Sequence, residues 1–167
     1  KMPLLEYLKK QSPTHPARAL LSISDVAPSR TRGSFYTSAL TTLRLFTSKS
    51  IYAITHTSDF TLSDLGTKKQ ALFVILPDEK TTFYPIASLI VSQQYELLAE
   101  AADRRGGRLE RRVNFLLDEF GNFTPISDMT NKLTVAAGRG MRYALYVQGF
   151  DQLKEKYSDN IANTIKG

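Results

Sequence analysis

The chain has 167 residues, 42 % of them hydrophobic and 23 % charged, a composition typical of a folded globular protein rather than a disordered one. Its 22 lysines and arginines outnumber its 16 acidic residues, and the net charge of +6 permits nucleic acid or an anionic membrane face as a partner without requiring either. There is no cysteine and there are only two histidines, which excludes disulfides and thiolate metal sites and leaves little material for a zinc site or a serine–histidine–aspartate triad.

Residues 1–50 have the pattern of a helical segment, and no strand pattern occurs before residue 68. After a short apolar stripe of Leu4, Leu5 and Leu8, a helix is expected from Thr14, with Ala17, Leu20 and Leu21 on its apolar face. The polar, basic stretch 29–33 is expected to be a turn. A further helix follows it, with apolar residues at helical spacing: Phe35, Ala39, Leu43 and Phe46.

From residue 68 onward, predicted strands and helices alternate. Apolar runs predict three buried strands at 71–76, 113–117 and 141–147. Helical patterns occur at 82–104, at 124–137 and from Phe150 onward, with glycines at the ends of the first two. This order predicts an α/β fold with a parallel sheet and right-handed crossovers. The apolar runs are far shorter than the roughly 20 residues of a membrane span, so no transmembrane segment is expected.

Two adjacent carboxylates, Asp118 and Glu119, follow the predicted strand 113–117. Ligands of open α/β sheets bind outside the carboxyl ends of the strands. An aspartate there can hold the magnesium ion that bridges nucleotide phosphates, and the next glutamate can orient an attacking water. The same pattern also fits a strand that ends in a polar turn. Gln148, after the next strand, either senses a terminal phosphate or caps the strand end.

The run from Phe115 to Gln148, with Asp118-Glu119-Phe120 and the short loop Gly121-Asn122-Phe123, resembles one protein family. It is similar to the coupling-protein ATPases of type IV secretion and conjugation (the TraG/TraD type). The stretch Thr82-Phe83-Tyr84-Pro85-Ile86-Ala87-Ser88-Leu89 also matches, especially the form typical of Gram-positive conjugative elements. The resemblance covers the chain from about residue 13 to its end and is strongest at 113–123.

The resemblance implies the domain organisation of a motor fragment. Residues 1–50 would be the distal part of an inserted all-helical domain, and residues 51–167 would be a partial RecA-like domain. The implied cofactors are ATP and Mg²⁺, with Asp118 holding the metal, Glu119 activating water and Gln148 sensing and binding the nucleotide. Many members carry an arginine where this chain has Ala137. Arg139 either contacts the nucleotide of a neighbouring subunit in its stead or neutralises a helix C-terminus.

The phosphate-binding loop of such motors, Gly-x-x-x-x-Gly-Lys-Ser/Thr, does not occur in the 167 residues. In the family this loop precedes the helical domain, so we expect it before Lys1 and expect the chain alone to be inactive, whereas the parent protein would hydrolyse ATP. One alternative is a non-catalytic module that recognises a substrate or relaxase. Another is a different RecA-like motor, such as a pilus or packaging ATPase.

The resemblance also implies the parent protein's setting. The parent would be a hexameric ring on the cytoplasmic side of the inner or cell membrane, anchored by a segment that this chain does not contain. It would pass relaxase-bound single-stranded DNA or protein substrates to the secretion channel and contact other secretion-system subunits.

Two further expectations concern the surface and the sheet. Five arginines between the helix 82–104 and the strand 113–117 form either a solvated loop or a contact with DNA or an adjacent subunit: Arg104, Arg105, Arg108, Arg111 and Arg112. No aromatic residue lies among them, so base stacking is not indicated. A RecA-like sheet implies the strand order 70–76, 113–118, 141–147, with the last strand as an open edge that promotes self-association.

Overall fold

The structure, a computed structural model, describes residues 6–7, 9–15, 18, 27–77 and 81–166. The chain divides into two compact units, Lys1–Thr57 and Ser58–Gly167. The helix predicted from Thr14 lies almost entirely outside the described residues, because Ala17, Leu20 and Leu21 are not among them.

The first unit contains the helices α1 (Ser29–Leu43) and α2 (Lys49–Thr55), joined by the 3₁₀ turn Arg44–Thr47. The expectation of a turn at 29–33 is wrong, because these residues form the first turns of α1. The carbonyl of Pro28 accepts the first helical hydrogen bond, from the Arg32 backbone at 2.9 Å. The predicted helix after it is confirmed, but none of the residues of α1 is buried.

The second unit confirms the alternation of helices and strands from residue 82 onward. Its elements are the 3₁₀ turns Leu62–Gly66 and Thr81–Phe83, α3 (Tyr84–Asp103), β1 (Val113–Leu117), the 3₁₀ turn Phe120–Asn122, α4 (Met129–Arg139), β2 (Met141–Leu145), α5 (Asp151–Lys156) and α6 (Asp159–Lys166). As predicted, glycines end both long helices: Gly106 and Gly107 follow α3, and Gly140 follows α4, all at positive φ.

β1 and β2 form a parallel pair in which Val113 lies opposite Met141 and Leu117 opposite Leu145. The parallel α/β prediction is therefore confirmed for these two strands. β1 buries alternate side chains, and Leu116 on its other face is 69 % exposed. The strand is covered on one face, not on both as its apolar run predicted. The core joins the sheet to α3 and α4 and includes four almost fully buried side chains: Leu98, Phe120, Met129 and Met141.

The prediction of a strand at 71–76 is wrong. Within the described residues the sheet contains β1 and β2 alone, and the segment 70–77 has neither helical nor strand structure. Phe73 is 83 % exposed and Ile75 is 90 % exposed. An apolar run becomes a buried strand only where other elements cover its faces and pair with its edges, and neither condition is met here. The predicted sheet order therefore fails at its first member.

The helix predicted from Thr124 begins five residues later, at Met129. Asp128, directly before Met129, has a left-handed backbone with φ 55° that does not fit an α-helix, and the Ile126 N–H in the preceding loop donates to the Tyr157 hydroxyl at 2.9 Å. The core-facing side of α4 also differs from the prediction, since Ala136 is buried and Ala137 is exposed.

Candidate functional site

The segment that follows β1 is fixed beside the end of β2 by backbone hydrogen bonds. Tyr146 donates its N–H to the Leu117 carbonyl at 3.0 Å, and Phe120 donates to the Tyr146 carbonyl at 2.8 Å. These bonds extend the parallel pairing past both strands. They place the two residues between Leu117 and Phe120 next to the chain that leads to Gln148.

Glu119 leaves the strand in the left-handed conformation, with φ 51° and ψ 37°. This region is strained for a residue with a Cβ, and it turns the backbone sharply. The turn sends Phe120 into the core, where its ring lies 5.5 Å from that of Phe123. Gly121 is also buried, and a side chain there would collide with Gln152. The buried aromatic ring thus anchors the loop while the carboxylates stay outside.

The Glu119 carboxylate accepts hydrogen bonds from two side-chain amides. Gln148 donates its Nε2 to both oxygens at 3.1 Å, and Asn122 donates its Nδ2 to Oε2 at 3.3 Å. Asp118, which is exposed, accepts the Glu119 backbone N–H on Oδ1 at 3.0 Å. The three residues singled out from the sequence at this edge therefore lie together at the carboxyl ends of adjacent strands. None of the described basic side chains forms an ion pair with either carboxylate.

Asn122 is the member of this cluster that the sequence analysis did not identify as a site residue. Its contact with Glu119 is local, three residues along the chain, and is made by a 3₁₀ turn in which Asn122 also donates its backbone N–H to the Glu119 carbonyl at 2.8 Å. The sequence signal was the Gly-Asn pair after Asp-Glu-Phe, since both residue types favour turns.

Arg139 lies apart from this cluster, at the opposite end of β2. The strand rises by about 3.3 Å per residue, so its five residues separate the two ends by roughly 13 Å. Arg139 donates to Asp103 Oδ1 at 2.7 Å and to the Ala99 carbonyl at 2.8 Å. The hydrogen bond to Asp103 raises the pKa of Arg139 above its usual range. Within this chain the side chain joins the end of α4 to α3, and a contact with a neighbouring nucleotide stays a prediction.

The arginine cluster at the same end is partly neutralised from within the chain. Arg104 pairs with Glu100 at 2.7 Å, and Arg105 pairs with Glu110 at 3.1 Å. Arg111 donates to the Thr67 carbonyl at 3.0 Å. A carbonyl does not neutralise Arg111, and Arg108 and Arg112 have no partner among the described residues, so these three arginines carry the remaining charge.

A groove of 660 Å³ adjoins the carboxylates and runs between the segment 70–76, α3 and β1. Its walls are mostly apolar side chains, with Asp118 and Glu119 at one end. The sequence Gly-x-x-x-x-Gly-Lys-Ser/Thr, whose backbone N–H groups cradle phosphates in nucleotide-binding loops, does not occur in the 167 residues. The described residues thus supply acidic groups to a site without supplying a phosphate cradle.

Asp118 suits one part of a magnesium site. In the portion of the chain that the structure describes, no three His, Cys, Asp or Glu side chains come together as a metal site. Mg²⁺ bound with nucleotides, however, takes only one or two protein carboxylates and completes its shell with water and phosphate oxygens. The exposed carboxylate of Asp118, with one oxygen oriented by the Glu119 backbone, fits that partial role.

Fold and site together define a parallel α/β domain whose acidic pair and amide side chain meet at the carboxyl ends of two strands. A family described as "Type IV secretory system Conjugative DNA transfer" matches residues 2–167. The chain therefore belongs to the type IV secretion coupling-protein family, and the resemblance inferred from its motif is confirmed.

Two relatives show the extent of the similarity. Conjugal transfer protein TraG of Escherichia coli is 27 % identical over 136 residues, which are 77 % of this chain and 21 % of that protein. Protein VirD4 of Rhizobium rhizogenes is 28 % identical over 118 residues, which are 70 % of this chain and 17 % of that protein. The chain thus spans about a fifth of the length of these relatives. No solved structure matches it. None of the helices that the structure describes has the length and apolar character to cross a membrane.

Proposed function

We propose that this chain is part of an ATP-driven coupling motor that delivers DNA, as a relaxase-bound single strand, or protein substrates to a type IV secretion channel during conjugation. The observation that carries the proposal is the hydrogen-bonded pair of Glu119 and Gln148 at the carboxyl ends of adjacent parallel strands. This is the edge of an open α/β sheet where ligands bind.

Each side chain has a chemical role in the proposed reaction. Asp118 binds the metal of a magnesium–nucleotide complex, and that metal neutralises charge on the phosphates. Glu119 accepts a proton from the attacking water. Gln148 senses the terminal phosphate with its amide, a role that its hydrogen bond to Glu119 supports. The phosphate cradle would come from another part of a RecA-like domain, and the motor would work as a hexameric, membrane-anchored ring on the cytoplasmic side.

The proposal is tested in the full-length coupling protein that contains these residues, by measuring phosphate release and nucleotide binding. Glu119→Gln keeps the shape of the side chain but loses the base, so we expect turnover to fall by about 100-fold or more while nucleotide still binds. Glu96→Gln is the matched control, because Glu96 is exposed on α3 and its carboxylate accepts a hydrogen bond from Ser92 rather than from a site residue. It should leave turnover unchanged.

Two results would contradict this assignment. An equal loss of binding and turnover in Glu119→Gln would indicate a structural role for the glutamate. A full-length protein that binds relaxase but never hydrolyses nucleotide would favour the non-catalytic module.

The 167-residue chain alone should show no turnover above background, since it contains no phosphate-binding loop. Turnover by this chain that disappears in Asp118→Ala would show that the loop is not needed.

A further inference from the structure

We propose that Asn122 is a positioning residue that selects which oxygen of Glu119 acts as the base; this inference rests on the function proposed above. The observation behind it is an asymmetry in the hydrogen bonds of the Glu119 carboxylate. Oε2 accepts from both Asn122 and Gln148, whereas Oε1 accepts from Gln148 alone.

A carboxylate oxygen has about two acceptor sites. The two amides therefore saturate Oε2, and one acceptor site stays open on Oε1. A general base needs an open acceptor site to take the proton of the attacking water. In the proposed step, the water oxygen bonds to the terminal phosphorus, the bond from that phosphorus to the leaving diphosphate oxygen breaks, and the proton passes to Oε1.

The backbone makes a positioning residue necessary at this place. Glu119 has a left-handed backbone directly after β1 and its side chain is only half-buried, so packing does little to fix its rotamer. Gln148 approaches from the other strand and contacts both oxygens at 3.1 Å, so its hydrogen bonds do not distinguish one oxygen from the other. Asn122 removes this equivalence, because it reaches Oε2 only, from the 3₁₀ turn on the glutamate's own loop.

The main test compares Asn122→Asp with wild type in the full-length coupling protein. Aspartate has the shape of asparagine but replaces the amide donor with a second carboxylate, which repels Glu119 instead of holding it. We expect kcat to fall roughly 10-fold, a modest part of the effect of misplacing a catalytic group, with KM for nucleotide unchanged. Asn131→Asp is the matched control, because Asn131 is exposed on α4 and makes no contact with the site; it should keep the wild-type kcat.

A second variant separates positioning from folding. Asn122→Gln keeps an amide donor on a side chain that is one methylene longer, so it should retain kcat within about 3-fold of wild type if the donor is what matters. Equal losses in the aspartate and glutamine variants, or a loss shared between kcat and KM, would overturn the positioning role and indicate a structural one.

A third comparison distinguishes this inference from the proposed function. If Glu119→Gln abolishes turnover while Asn122→Asp hydrolyses at the wild-type rate, the ATPase assignment holds and the positioning inference is overturned. If the wild-type full-length protein shows no turnover, both are overturned. In the 167-residue chain, the side-chain amide NMR signal of Gln148 should shift in Asn122→Asp and stay in place in Asn131→Asp, because only the first change displaces its acceptor.

Discussion

The two ends of the β1–β2 sheet carry charged side chains of opposite sign, and these side chains have different kinds of hydrogen-bond and ion-pair partners. At the carboxyl end, the Glu119 carboxylate is held by neutral amides, and no described cation pairs with it or with Asp118. At the amino end, Arg139 pairs with Asp103 and with a backbone carbonyl, and neighbouring arginines pair with glutamates of the same chain.

This difference separates residues that stabilise the domain from residues that are left available to a ligand. Amide donors orient a carboxylate without neutralising it, so the carboxyl end keeps a net negative charge that a metal ion can use. The arginine at the other end already has its partner inside the chain. Substitutions should therefore affect stability at the amino end and turnover at the carboxyl end.

Among the charged residues at the two ends of the sheet, Arg139→Ala is expected to have the largest effect on stability. The change removes an ion pair and a hydrogen bond to the Ala99 carbonyl, and we expect the free energy of unfolding in urea to fall by about 1.5 kcal/mol, a figure limited by the exposure of Asp103 to solvent. Arg108→Ala removes the same charge from a side chain without a described partner and should change little. Equal effects of the two variants would show that the Asp103 contact does not stabilise the domain.

At the carboxyl end, the strained backbone of Glu119 should be visible in a glycine–alanine comparison. Both Glu119→Gly and Glu119→Ala lose the carboxylate, but glycine adopts the left-handed conformation freely, so it should be more stable than alanine by about 1 kcal/mol. The order should reverse at Glu96, inside α3, where glycine costs about 1 kcal/mol relative to alanine. The same order at both sites in urea unfolding would contradict the left-handed turn.

Between the two ends, a pair of tyrosines tests the polar contacts of the core. The Tyr157 hydroxyl binds the Ile126 N–H, so Tyr157→Phe should lower stability by about 1 kcal/mol. The Tyr143 hydroxyl is buried without a hydrogen-bond partner among the described residues, so Tyr143→Phe should be neutral or raise stability by about 0.5 kcal/mol. A destabilising Tyr143→Phe would show that the hydroxyl has a partner in solution.

The same tyrosine predicts a pH dependence. Burial raises the pKa of Tyr143, so its ionisation favours the unfolded chain. The contribution of Tyr143 to the free energy of unfolding is fully present below the pKa of the unfolded state, about 10. It is lost as the pH rises from there toward the pKa of the folded state. Urea midpoints measured from pH 9 upward should therefore fall less steeply in Tyr143→Phe than in wild type. Parallel curves would exclude this tyrosine as the titrating group.

The smallest effect on stability is expected from a substitution in the segment 70–77, which lines the groove next to the carboxylates. Phe73 is almost fully exposed, so Phe73→Ala should change the free energy of unfolding by less than about 0.5 kcal/mol. Phe115→Ala, the same change at a buried position of β1, should cost about 3 kcal/mol. A large loss of stability in Phe73→Ala would indicate that the segment is buried, as the predicted strand requires.

The sequence by itself determined the two parallel strands, the long helix between residues 84 and 103, the family and the position of the acidic pair. Each of these is encoded locally. An apolar run followed by Asp118 and Glu119 marks a strand end, helical spacing marks α3, and the carboxyl ends of parallel strands necessarily share one edge.

Only the tertiary structure decided which apolar run became a strand, where α4 begins and how the charged groups are partnered. The run 71–76 has the composition of a buried strand. A strand is buried, however, only where another strand pairs with it and other elements cover it, and the local sequence pattern does not contain that information. In the loop before α4, the Ile126 N–H donates to the Tyr157 hydroxyl, 31 residues away. The pairing of Arg139 with Asp103 and the hold of Gln148 on Glu119 likewise join residues that are distant in the chain. The periodicity of apolar residues indicates which face of a single helix or strand packs on the core. These contacts depend instead on how separate helices and strands pack against each other.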